Sequence, residues 1–399
     1  MTDRMPRMVL TVDHSSSASA FALGAPKNGI REILELGRTM GDVIQLSLGE
    51  PSFPTPPHVI EAAERALEDG WTKYASSAGV PALREALAQK VHRVNGITAD
   101  PDQIMVTAGA VEGLLLTLFT LCEQGDEVLL PNPGWSNYLG MAHLARVKPV
   151  GYSLNAQTGY VPNLAQLEEL VTPRTRVLVL NSPSNPIGSL IREPLMRELL
   201  DFADRRGIWV VADECYDELT YEEGFVSAAA LSDSPRIVTA HSFSKTYAMT
   251  GWRVGYLTLP KGLTQVVTRI NEPVVSCVST VGQAAALAAV SGPQDCVREM
   301  RSGYKSRRDL AVATLIASGV SPALVPPGAF YLWVDAREHV TSSHEFALQL
   351  LRERRVAVTP GTAFGDEGEG YFRISYGGDI AELETGLRSF SAQLTGITA

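Results

Sequence analysis

The feature that most constrains this chain is an alternation of short, unbroken apolar runs with helix-patterned stretches. Apolar runs lie at residues 103–107, 127–130, 176–180, 208–212, 236–239 and 254–257. Helical spacing of apolar residues marks 58–68, 81–91, 111–122 and 194–205. Runs without a polar residue at every second position are strands buried on both faces, and helices between them signal βαβ units. A mainly parallel sheet with helices on both sides is therefore expected across roughly residues 50–290.

The flanks read differently. The first 27 residues are mixed, with a Ser/Ala stretch at 15–20, and read as a flexible or partner-wrapping arm or a disordered tail. Residues 30–36 carry a helical pattern and 43–48 an apolar, strand-like one. A helical stretch is expected over 282–318. Beyond 323 the rhythm changes, with strands at 330–334, 356–359 and 371–375 and helices at 343–352 and 380–394. The expected fold class is α/β: a large domain over 49–290, a linking helix and smaller α+β domain over 291–399, and 1–48 as an arm that helps complete the small domain.

Composition excludes several classes. Acidic residues outnumber basic ones 44 to 34, a net charge of −10, which speaks against a nucleic-acid binder. No apolar run approaches the roughly 20 residues that cross a bilayer. The apolar stretch at 8–12 is too short for a signal-peptide core. The four cysteines and seven histidines are scattered without metal-ligand spacing, so no metal is expected and the thiols read as reduced, in a cytoplasmic protein. Of the basic residues only seven are lysines, against 27 arginines.

In open α/β sheets, ligands sit beyond the carboxyl ends of the strands. Small residues Ala108, Gly109, Ala110 and Val111 follow the first run and open a helix, whose free N–H groups and positive dipole end favour a phosphate. Asn181 to Gly188 follow another run, Asp213 and Tyr216 a third. Ser242, Ser244 and Lys245 follow a fourth, with Arg253 eight residues on. Two hydroxyls and an arginine add donors for the same anion. A carboxylate at Asp213 can pair with a protonated ring nitrogen. A lysine near cationic groups loses its proton and attacks carbonyls. Phosphate, pyridinium and aldehyde together describe pyridoxal 5′-phosphate (PLP).

At this point the chain resembles the class I/II aminotransferases of the aspartate aminotransferase superfamily, the fold type I PLP enzymes. The matching pieces occur in order: Gly49-Glu50-Pro51-x-Phe53-x-Thr55-Pro56; Lys73-Tyr74 with Gly79 and Leu83-Arg84; Thr107-Ala108-Gly109-Ala110; Pro131-Asn132-Pro133-Gly134-Trp135; Asn181-x-Pro183-x-Asn185-Pro186-x-Gly188; Asp213-Glu214-x-Tyr216; Ser242-x-Ser244-Lys245; Pro327-Gly328-Ala329-Phe330-Tyr331; and Arg373-Ile374-Ser375. The resemblance implies a seven-stranded sheet and a ping-pong Schiff-base reaction that moves an amino group from an L-amino acid to a 2-oxo acid of the 2-oxoglutarate or pyruvate class. It implies that Lys245 bonds the cofactor and later shuttles the substrate proton, and that Asp213 holds the ring nitrogen. Tyr216 and Asn185 would bind the ring 3-oxygen, and Trp135 would stack on the ring. Gly109, the amides of Ala110 and Val111, and Ser242, Ser244 and Arg253 would hold the phosphate. Arg373 would grip the substrate carboxylate with Asn185, Trp135 and the backbone at Gly49. Tyr74 would reach the phosphate in a second subunit, which implies a homodimer with shared sites.

Cys215, inside the Asp-Glu-Cys-Tyr piece, is expected to point into the core. Some aspartate enzymes take a second arginine from the partner subunit, upstream of the segment that here reads Asn271 to Ser276. No arginine follows Arg269 there, and the nearby charge is Glu272. A dicarboxylate is therefore not expected to be bound by that device, and Glu272 points to a neutral or cationic side chain. Two alternatives stay open on sequence alone: β-elimination, cyclisation or oxidation of an amino acid on the same apparatus, and, more remotely, a non-catalytic PLP-binding regulatory protein.

Overall fold

The computed structural model describes residues 17–26, 29–222 and 224–396. Most of the expected N-terminal arm, residues 1–16 and 27, lies outside the described residues. Within the arm, Ala20–Leu23 forms one short helix capped by Ser19.

The strands in chain order are β1 (Ile44–Gln45), β2 (Ile104–Thr107), β3 (Glu127–Asn132), β4 (Lys148–Ser153), β5 (Thr175–Asn181), β6 (Trp209–Asp213), β7 (Ile237–Ser242), β8 (Gly255–Thr258), β9 (Tyr331–Asp335), β10 (Val356–Ala357), β11 (Thr359–Pro360) and β12 (Tyr371–Ser375). Seven of them form one sheet in the order β2-β8-β7-β6-β5-β3-β4. Strand β8 runs antiparallel to both neighbours, and every other pairing is parallel.

The unbroken apolar runs have a direct cause. Val177 and Val179 of β5 pack on one side with Val211, Val238 and the helix Ala110–Leu121. Leu178 and Leu180 pack on the other side with Val210, Ala212 and the helix Glu193–Arg206. Both faces are covered, so neither carries polar residues. Strand β4 escaped the sequence reading because it is an edge strand. Its first half is exposed, and it carries Pro149 and Gly151, which are tolerated only where the ladder is incomplete.

A second core gathers the antiparallel sheet β11-β12-β9 and the helices Asp295–Ala317, Ser343–Arg354 and Ile380–Thr395. The expected strand at 43–48 shrinks to β1, which pairs in parallel with β10 and so ties the N-terminal segment to this part of the chain. The expected helical stretch at 282–318 is two helices, Thr280–Ser291 and Asp295–Ala317. The break falls at Gly292-Pro293, where proline has no N–H to continue the first helix.

Candidate active site

Three central strands end side by side. Asn181 of β5 is in register with Asp213 of β6, and Asp213 with Ala240 of β7. Beyond these ends lies a cavity of about 630 Å³. Of the fourteen residues singled out in the sequence, twelve line it: Gly49, Ala110, Val111, Trp135, Asn185, Asp213, Tyr216, Ser242, Ser244, Lys245, Arg253 and Arg373. Gly109 stands directly behind. Tyr74 lies elsewhere, with 90% of its surface exposed.

One end of the cavity is an anion cradle. The helix Ala110–Leu121 begins there, with Gly109 as its N-cap at φ 78° and ψ 165°, a conformation open only to glycine. A Cβ on Gly109 would also strike the Arg253 guanidinium. Arg253 is fixed by Nη1 donating to the Thr250 carbonyl at 2.8 Å and Nη2 to the Ala108 carbonyl at 3.4 Å. Ser242 caps the short helix Phe243–Thr246, its Oγ accepting from the Ser244 amide at 3.1 Å. The helix's first amides, two serines and a guanidinium line the same cavity, a donor set that suits a phosphate dianion.

The floor is Asp213, buried to 4% exposure. Burial pushes its carboxyl pKa up, and hydrogen bonds from Tyr138 and Cys215 oppose the rise. The Tyr138 hydroxyl donates to Oδ2 at 2.6 Å and the Cys215 amide to Oδ1 at 3.2 Å. A carboxylate so placed gains most from a cation, and a protonated ring nitrogen is such a cation. Lys245 reaches in from the end of β7, and its Nζ donates to the Gly49 carbonyl at 2.5 Å. Burial lowers its pKa to about 8, and the positive charges of Arg373 and Arg253 act in the same direction. The amine is thus partly neutral near physiological pH, as attack on a carbonyl requires.

The opposite end is cationic. Arg373 of β12 is 2% exposed, with its guanidinium carbon 4.5 Å from the Tyr331 ring and 4.8 Å from the Phe364 ring. Its Nη1 donates to Asn185 Oδ1 at 2.9 Å and its Nη2 to the Ser47 carbonyl, while Nε has no partner. A buried guanidinium with a spare donor is a receptor for a planar carboxylate. Tyr216, on the loop after β6, shares a 2.7 Å hydrogen bond with the Tyr331 hydroxyl.

Several residues that shape the site had escaped the sequence reading. Tyr138 holds Asp213, and no local pattern announces it. Tyr331 backs Tyr216; it ends a motif already quoted, and that was the available signal. Asn181 Oδ1 accepts from the Asn185 amide at 2.8 Å and its Nδ2 donates to the Asp213 carbonyl at 3.0 Å, so one side chain aligns two site residues. Arg31, Glu35 and Arg38 also face the cavity. One expectation is corrected: Cys215 lines the cavity rather than pointing only into the core, because its amide turns back onto Asp213. Glu272 is exposed at the end of the helix Leu263–Asn271 and does not line its own chain's cavity.

The arrangement fits PLP on its own chemistry: an anion cradle, a buried carboxylate and a lysine of lowered pKa share one cavity of sufficient size. Among the described residues no group of three or more His, Cys, Asp or Glu side chains is placed to hold a metal. None of the described helices is long and apolar enough to cross a membrane.

The family described as aminotransferase class I and II matches residues 41–390. An aspartate aminotransferase of Pyrococcus horikoshii is 36% identical over 372 residues, covering 93% of this chain and 95% of that protein. A probable aspartate/prephenate aminotransferase of Aquifex aeolicus is 39% identical over 361 residues, covering 88% and 91%. Among solved structures, the aspartate aminotransferase of Thermus thermophilus with maleate superposes with a TM-score of 0.89 at 34% identity, over 94% of this chain and 99% of that one. The aromatic aminotransferase of Pyrococcus horikoshii gives 0.86 at 37% identity, over 92% and 99%.

Proposed function

Because the chain belongs to the class I and II aminotransferases, we propose that its cavity binds PLP and moves amino groups between an L-amino acid and a 2-oxo acid through the residues just described. The observation that carries this reading is the meeting of Lys245, Asp213, Arg253 and Arg373 in one cavity. PLP, when bound, supplies a carbonyl that receives the amino group and an electron-poor ring that stabilises negative charge at the substrate α-carbon. The residues supply everything else. Ser242, Ser244, Arg253 and the amides after Gly109 hold the phosphate and fix the ring's position. Asp213, kept in place by Tyr138, pairs with the ring nitrogen and keeps it protonated. Asn185 and Tyr216 would hold the ring 3-oxygen by hydrogen bonds, and Trp135 would pack against the ring.

Arg373 orients the substrate by its α-carboxylate, with Asn185 and the backbone at Gly49 beside it. The substrate's α-proton is then within the reach of Lys245. Its Nζ, neutral in part because of burial, would remove the proton from the substrate α-carbon and deliver a proton to the carbon that had been the cofactor's carbonyl carbon, and the reverse sequence would serve the oxo acid. The two half-reactions share one set of residues.

We place the functional unit in the cytoplasm as a homodimer. The support for a dimer is Tyr74, a large aromatic residue left almost fully exposed although its motif belongs with a phosphate site. The working division is a PLP-holding domain at 49–290 and a small domain at 291–399 completed by 1–48. The experiment is reconstitution with PLP followed by an assay for amino transfer that depends on added oxo acid. Activity is expected, and Lys245→Ala is expected to remove both turnover and the absorbance band of the lysine-bound cofactor. Amino-acid breakdown that proceeds equally well without an oxo acid would overturn the reading.

A further inference from the structure

Arg253 is the guanidinium of the anion cradle, yet no regular element fixes its backbone. It ends the short turn Thr250–Trp252 and stands in the left-handed region, at φ 55° and ψ 55°. That conformation costs free energy for a residue with a Cβ and persists only where neighbours enforce it. The adjoining Gly251 is exposed. The turn therefore has to be held from outside.

The hold comes from the segment 49–55. Thr250 Oγ1 donates to Glu50 Oε1 at 2.6 Å, and the Thr250 carbonyl accepts from Arg253 Nη1 at 2.8 Å. One residue thus links the Glu50 carboxylate to the guanidinium. The bond to Glu50 has the length of a charge-assisted one. Beside it, Thr55 Oγ1 donates to the Ala248 carbonyl at 2.8 Å and accepts from Trp252 Nε1 at 3.0 Å. The segment is anchored on its far side, where the Ser52 amide donates to the Gly377 carbonyl at 3.0 Å and Arg307 Nη1 to Ser52 Oγ at 2.9 Å. Glu50 therefore acts from a fixed base. Its charge has a second consequence. Burial lowers the pKa of Lys245 and Arg373 and Arg253 push the same way, whereas Cys215 and Glu50 oppose them.

We propose that Glu50 is a positioning residue for the cofactor's phosphate and for Lys245: its carboxylate holds Thr250, the turn so fixed aims Arg253 into the cradle, and its negative charge acts on the amine. This rests on the PLP reading and deepens it, giving a role to a carboxylate that does not itself line the cavity. The two effects depend on different properties of one side chain. Holding Thr250 needs an acceptor oxygen, which an amide also supplies. Acting on Lys245 needs the charge, which an amide lacks.

The test compares wild type, Glu50→Gln and Glu50→Ala. It measures PLP binding to the cofactor-free protein by fluorescence, and the pH midpoint of the lysine-bound cofactor's absorbance. Glu50→Ala is expected to weaken PLP by about tenfold or more, the scale of a hydrogen bond to a charged group, and Glu50→Gln to recover most of that loss. Both variants should move the midpoint to lower pH by similar amounts, since each removes a negative charge that favours the protonated nitrogen. Thr250→Val, which removes the hydroxyl, should weaken PLP as Glu50→Ala does, and the double variant Glu50→Ala/Thr250→Val no further. The cofactor-free Glu50→Ala protein should keep the wild-type urea midpoint, because the side chain is exposed. Native affinity in Glu50→Ala, an equal loss in Glu50→Gln, additive losses in the double variant, an absorbance midpoint moved by neither variant, or a fall in stability that matches the loss of affinity would overturn the proposal. Failure of the underlying reading looks different: wild type itself binds no PLP.

Discussion

The pKa of Lys245 makes a stability prediction that can be worked through. Replacing it with methionine keeps the stem and removes the amine. The drop from 10.5 to about 8 corresponds to about 3 kcal/mol at about 1.4 kcal/mol per pH unit, the cost of keeping the ammonium in a buried site. Its hydrogen bond to the Gly49 carbonyl offsets about 1 kcal/mol of any gain on removal. The cofactor-free Lys245→Met protein should therefore be more stable than wild type at pH 7, by about 2 kcal/mol. The sign with pH follows from proton counts. Between about 8 and 10.5 the unfolded chain still holds the proton that the folded chain has released, so wild type gains stability as pH rises through this interval. Urea unfolding of both proteins at pH 7 and pH 10 measures the gap, which should shrink or reverse at the higher pH. A variant less stable than wild type at pH 7, or a gap identical at both pH values, would refute the assignment of a strained, partly neutral amine.

Three further outcomes follow from particular contacts. Tyr138→Phe removes a 2.6 Å hydrogen bond to the buried Asp213 carboxylate; the expected loss is about 1.5–3 kcal/mol, read as a fall of roughly 10- to 150-fold in kcat/KM, and unchanged kinetics would refute the role. Gly109→Ala places a Cβ against Arg253 in a conformation costing about 1–3 kcal/mol; PLP affinity, followed by fluorescence, should weaken at least tenfold, whereas native affinity would show that the cradle tolerates the displacement. Lys90→Met leaves Glu218, at 2.9 Å, and Asp217, at 3.7 Å, without their buried cation. Burial works against the Lys90 charge, yet Tyr256, Asp217 and Glu218 outweigh it and hold the pKa well above normal, so a stability loss of about 3–5 kcal/mol is expected in urea unfolding; a loss under about 1 kcal/mol would contradict it.

The sheet was legible in the sequence where strands are covered on both faces, because unbroken apolar runs have no other easy use. It was illegible at β4, whose exposed half, Pro149 and Gly151 resemble loop. The helices Asn137–Leu144 and Leu164–Leu170 are short, and one or two turns give periodicity little to work on. In the site, residues that follow directly on strand ends could be read from order alone: Asp213, Lys245 and Asn185 each stand a few positions past a run. Tyr138 could not. It is 75 residues from Asp213 and meets it only because the helix Asn137–Leu144 packs under the sheet end. Arg31 and Arg38 were equally hidden, since a charged helix face reads as solvated until another part of the fold closes a cavity beside it.

That closure links the outer helix to the chemistry. Residues 44–49 run from the helix Gly29–Met40 to the cavity floor. They are anchored by β1 on β10 and by the Leu46 amide donating to the Ala357 carbonyl at 2.9 Å. The same segment presents two carbonyls inward, Ser47 to Arg373 and Gly49 to Lys245. Its path leaves no slack, because a Cβ on Gly49 would collide with the Tyr331 hydroxyl. Lys245 and Arg373 are thus both held by backbone acceptors of one short segment, which begins just after the helix Gly29–Met40.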